Sequence, residues 1–142
     1  MRRKTPLHFM ELLLMLLVFS LSGAFCLKAF VWADLTGQMT ADRGMAALQV
    51  ESAAEIIKAC RGDMDGYVRM TGSGTTEDEK LTVYFDGNWN QADEESGIFC
   101  LVGERILSGN PLLGQAEIAV TGRNGDVLFS LEVCWQEGEK ND

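Results

Sequence analysis

An α+β fold, one long N-terminal helix laid against a small antiparallel sheet, is predicted by three features of this 142-residue chain. Apolar residues run almost unbroken from Leu7 to Trp32. A stripe of helical period follows between Met45 and Cys60. Beyond Gly62 the period falls to two, in short runs separated by turn-forming residues.

The apolar run comes first. Between Glu11 and Lys28 the sequence carries no charge. At about 1.5 Å per helical residue, Leu12 to Trp32 reaches roughly 30 Å, the hydrocarbon thickness of a bilayer. Lys28 stands near the far end, where its long stem reaches the interface, and Trp32 occupies an interfacial aromatic position. Residues 7–33 are therefore expected to be a transmembrane helix. Val31-Trp32-Ala33 offers a small-x-small cleavage site, but the run exceeds the roughly 7–15 apolar residues of a secretory signal, which favours a retained anchor.

Charge sets the expected orientation. Residues 1–33 hold Arg2, Arg3, Lys4 and Lys28 against Glu11 alone, a balance of +3, and the remainder holds −12 of the total −9. A basic cytoplasmic tip over residues 1–6 and an acidic extracytoplasmic remainder follow, for a single-pass protein of the cell membrane. That acidity argues against direct nucleic-acid binding, which needs clustered Lys and Arg.

Residues 34–62 read as a helical stalk. The stretch from Asp34 to Gly44 is polar, with Gly37 and Gly44 as places for a bend. From Met45, Ala46, Val50, Ala53, Ile57 and Cys60 fall on one face at spacings of four and three. Glu51, Glu55 and Lys58 fall off it, and Gly62 is the expected C-terminal stop. A continuous helix from Leu7 to Cys60 would reach about 80 Å.

Residues 63–142 read as the extracytoplasmic sheet domain. Strands are expected at 66–71, 80–86, 97–102, 115–121 and 126–135, with polar turns at 72–79 and 86–95. Leu81, Val83 and Phe85 should share one face, as should Val127, Phe129, Leu131, Val133 and Trp135. Asn124-Gly125 is a hairpin signal, and short connections favour antiparallel pairing.

The frame Leu7-His8-Phe9-Met10-Glu11-Leu12-Leu13 after a basic leader, followed by a helix-then-sheet order, resembles the type IV pilin-like proteins. These include the pseudopilins of type II secretion and competence machinery. In that family a Gly closes the leader, an aromatic residue begins the mature chain, and Glu stands fifth. Here Glu11 occupies the glutamate position, while Pro6 stands at the Gly position and Leu7 at the aromatic one. The leader is thus expected to be uncleaved or atypical. The resemblance implies a structural subunit of a pilus-like, secretion or DNA-uptake filament. Its partners would be other pilin-like subunits, membrane assembly proteins, and the bilayer around residues 7–33. It also implies that Glu11 meets the N-terminal amine of a neighbouring subunit. The alternative is a membrane-tethered extracytoplasmic binding or sensor domain.

Candidate residues for chemistry are few. Ser20, Ser22, Gly23 and Ala24 are small enough to admit a second helix at close range. His8 is the only histidine and falls on the cytoplasmic side, so no Ser–His or Cys–His pair can form outside. No phosphate-binding loop or zinc-type spacing is present, so neither enzyme, cofactor nor metal is expected. Asp86-Gly-Asn88-Trp-Asn90 has the first three donors of a calcium loop, but Gly97 stands where the bidentate Glu is needed, so a connecting turn is the better reading. Arg61-Gly62-Asp63 spells an adhesion tripeptide that Gly62's capping role explains. Of the cysteines outside the apolar run, Cys60, Cys100 and Cys134, at most one pair can bridge, and Cys100–Cys134 is the candidate between strands.

Overall fold

The computed structural model describes residues 5–137, so the basic tip expected over residues 1–6 lies largely outside the described residues. The chain divides into two compact units, Met1–Ala41 and Asp42–Asp142. One helix, α1 (Thr5–Ala59), runs without interruption through Gly37 and Gly44. It is followed by α2 (Met64–Thr71), β1 (Thr75–Glu77), β2 (Lys80–Phe85), β3 (Gln91–Ala92), β4 (Phe99–Ile106), β5 (Leu113–Thr121) and β6 (Val127–Gln136). The predicted α+β architecture, long helix on small antiparallel sheet, is the one observed.

Every strand pair is antiparallel, in the order β1-β2-β4-β5-β6 with β3 also on β2. Alternation decides which face is buried. Leu81, Val83 and Phe85 of β2 point inward with Phe99 and Leu101 of β4, Ala116, Ile118 and Val120 of β5, and Val133 and Trp135 of β6. The helix stripe covers this face: Ala46, Val50, Ala53, Ala54 and Ile57 belong to the same core cluster. Three of those five are alanines. Ile57, wholly buried, sits over inward-facing Gly103, where an added Cβ would lie 3.6 Å from Ile57 Cδ1.

The end of α1 departs from expectation by one residue. Gly62 N–H donates to the Ile57 carbonyl at 2.9 Å and Arg61 N–H to the Lys58 carbonyl at 3.0 Å. These are the paired bonds of a Schellman motif, and they put Arg61 (φ 53°), not Gly62, at its left-handed position. Gly62, one place on, also has positive φ (77°) for a second reason. A Cβ there would strike the indole of Trp135, and so would one at Gly114. Trp135, 7% exposed, is thus slotted between two glycines, one at the helix end and one on β5. Cys60, expected among the core residues, is only half-buried at this cap, with Sγ 3.4 Å from Met70 Sδ.

The expected strand at 66–71 is instead α2. Tyr67 and Val68 are strand formers, but burial selects Met64 and Tyr67 at helical spacing, with Val68 packed against the core. Gly72 closes the helix in the left-handed region, its N–H on the Val68 carbonyl at 2.8 Å. Asp63 at the N-cap makes no capping bond, because its carboxylate takes Arg69 at 2.8 Å. Within the turn expected at 72–79, β1 pairs back on β2 through Asp78 and Glu79, both at positive φ as a tight two-residue hairpin turn requires.

Val127 does not join the inward face of β6. Val120 pairs with Phe129 but Thr121 pairs with Val127, so Leu128 is an extra residue in the ladder. The bulge flips Val127 to the outer side, where it is 58% exposed, and lets both Leu128 and Phe129 pack against the core.

Two substitutions test this account by denaturant unfolding of the full chain in detergent. Gly114→Ala should cost about 1–3 kcal/mol, because the Trp135 ring must leave its slot. Arg61→Gly should raise stability by about 0.5–1 kcal/mol by removing left-handed strain from a residue with a Cβ.

Candidate assembly site

Within the first unit, α1 is long and apolar enough to cross a membrane. Its large side chains from Leu7 to Leu35 are all at least half exposed, so the helix buries none of this surface against its own chain. Three hydroxyls along it are satisfied internally. Ser20 Oγ donates to the Leu16 carbonyl at 2.9 Å, Thr36 to Trp32 at 2.8 Å and Thr40 to Thr36 at 2.9 Å. Ser20 is therefore a small residue, its hydroxyl already engaged.

At about 100° per residue the five predicted assembly residues separate onto two faces. Ser20, Gly23 and Ala24 stand together at i, i+3 and i+4. Ser22 falls on the other side, three turns from Glu11 and in line with it. Nothing lies within 4 Å of a Cβ added at Gly23, so no contact in its own chain calls for glycine there. Glu11 has a neighbour that spacing alone would suggest: His8 Nδ1 lies 3.4 Å from Glu11 Oε2, one turn back on the same helix.

The second unit holds its own polar features. Asp86, expected to open a connecting turn, accepts the Asn88 and Asn90 N–H groups on Oδ1 at 2.8 and 2.9 Å. These bonds hold its carboxyl below the usual range, those of Asn90 contributing most. The turn they close carries Trp89 at positive φ (63°). Its ring stacks on Phe99 at 4.1 Å, and Nε1 donates to Asp42 Oδ1 at 3.4 Å. Trp89 thereby ties the β2–β3 turn to the start of the buried stretch of α1. No sequence signal marks a tryptophan for a left-handed position. Only the Asp-x-Asn-x-Asn run hints at the turn that places it.

Cys100 and Cys134 are both free and are not brought together. Cys100 pairs with Thr121 and Cys134 with Gln115, so the two lie on strands either side of β5 and six residues apart along it. That is about 20 Å at strand spacings, far beyond the reach of a disulfide. Burial also pushes the Cys100 thiol up, away from the reactive thiolate.

Among the clefts on this unit are two lined mainly by polar residues. One, of about 850 Å³, is flanked by Glu77, Tyr84, Asp86, Asp93 and Glu94. The other, of about 300 Å³, lies among Arg61, Asp65, Thr76, Glu79 and Arg105. Among the described residues, no group of three His, Cys, Asp or Glu side chains is placed to hold a metal ion. The β4–β5 connection, which the sequence reading passed over, exposes Leu107 fully and Leu112 and Leu113 in part.

No family model matches the chain, and no curated protein and no solved structure is detectably similar to it.

The Asp86 turn has a definite pH response. A carboxyl held below its ordinary range in the folded state adds stability that is complete above that range and is lost as pH falls through the lowered value. Amide NMR signals of Asn88 and Asn90 should therefore hold through mildly acidic pH and move only below it. In Asp86→Ala they should sit displaced at every pH.

Proposed function

We propose that this chain is a membrane-anchored structural subunit of a pilin-like filament, of the type IV pilus, type II secretion or competence kind. The reading rests on one observation above all: α1 is at once an exposed apolar helix of membrane-spanning length and the core helix of an antiparallel sheet domain. The N-terminal frame around Glu11 supports it. In this reading the basic N-terminus stays in the cytoplasm and the domain from Asp42 stands outside. Apolar helices of neighbouring subunits pack side by side, the face of Ser20, Gly23 and Ala24 admitting the closest approach. The protein acts by assembly and carries out no chemistry of its own.

A tethered binding or sensor domain is the second reading, favoured by the acidic cleft of about 850 Å³ beside Tyr84. The intact mass of the native chain from cells separates the possibilities first. A chain beginning at Met1 or Leu7 keeps the anchor, whereas one beginning at Asp34 would be a released domain and would end the filament reading.

Lateral assembly makes a sharper demand. Gly23→Leu meets no obstacle within its own chain. It should leave the domain's stability unchanged while lowering helix–helix crosslinking in the membrane at least several-fold, as scored by single cysteines at Leu16 or Phe19. Equal crosslinking in both chains would remove that face from the assembly.

A further inference from the structure

Glu11 is the only acid that the sequence carries before Asp34. Its helix neighbours Leu7, Met10, Leu12, Leu14 and Met15 are apolar, and the next described charge, Lys28, lies about 25 Å further along α1. If Leu12 to Trp32 fills the hydrocarbon, this carboxylate stands at its inner edge, where an unpaired charge pulls its helix toward water. The polar group the structure places beside it is His8, with Nδ1 3.4 Å from Oε2.

We propose that His8 is the resident partner of Glu11: its ring, one turn back on the same helix, pairs with the carboxylate at the inner edge of the anchor. The inference rests on the anchor reading of α1. Three residues is a spacing at which helix side chains meet without leaving their rotamers. Each subunit then brings its own partner for the carboxylate to assembly. A neighbouring amine gains Glu11 only by displacing His8, so the register of the helices need not be set by that carboxylate. Arg2, Arg3 and Lys4 precede the pair in sequence and lie outside the described residues.

Depth mapping of the full chain tests this. An Asn-X-Thr acceptor is moved residue by residue through the segment after Ala33 during translation into microsomes, and the first modified position reports how far the helix's outer end protrudes. His8→Ala should shift that threshold one to two residues outward, as Glu11 draws the helix toward the cytoplasmic face. His8→Lys should restore it, and in a Glu11→Gln chain His8→Ala should shift nothing. An unmoved threshold in the Glu11 chain, or an equal shift with Gln at 11, overturns the pair. If acceptors are modified at every position or at none in the unaltered chain, the anchor reading fails, and the pair with it.

Discussion

A sheet with one apolar face cannot stand in water uncovered, and in this protein the cover is the second half of α1. Ala46, Val50, Ala53, Ala54 and Ile57 are the helix's share of the core, and each is at most 2% exposed. The small α2 adds Met64 and Tyr67 at one margin, and among the described residues α1 and α2 are the helices available to cover the sheet. Everything else in the second unit is arranged around this contact. Gly103 receives Ile57, and Trp135 and Trp89 fasten the two ends of the buried stretch. By the usual area relation, each large side chain so buried contributes about 1.5–3 kcal/mol before entropy is counted.

The two tryptophan contacts differ in kind. Trp135 is held by shape, because Gly62 and Gly114 leave room for a ring that no alanine would admit. Among the described residues its buried indole nitrogen has no hydrogen-bond partner, a cost the packing has to exceed. Arg105 offsets part of it, lying over the ring at 5.7 Å while pairing with Glu137. Trp89 is held by polar geometry, through the Asp86 turn that sets its backbone and the Asp42 oxygen that receives its N–H. One end of the helix contact therefore depends on a charged carboxylate and the other does not.

How much of this was legible in the sequence varied with the length of the pattern. The α1 stripe and the β2 alternation are legible because each repeats often enough to exclude the other period. The segment 66–71 is not, because six residues allow few repeats and Tyr67-Val68 favours strand. The outward face of Val127 is hidden because a bulge shifts parity without leaving a mark in composition. The left-handed position of Arg61 is hidden because the glycine beside it is the stronger capping signal. Among candidate site residues, Glu11 and the small residues are legible as types at positions, and their division onto two faces follows from helical spacing within the expected helix 7–33. The separation of Cys100 from Cys134 depends on strand order, which spacing cannot reveal.

The position of β6 in the chain bears on how the domain comes into being. The last strand supplies Val133 and Trp135 to a core whose first contribution, Ala46, is made some ninety residues earlier. A ribosome delivers the helix long before its covering partner exists. The apolar stripe from Ala46 to Ile57 must therefore wait, and the core closes only after residue 136 has emerged. Contacts of such long sequence separation make for slow closure. During that interval the nascent chain has a finished helix and an open sheet, the state most exposed to chaperones, proteases and mispairing with its own kind.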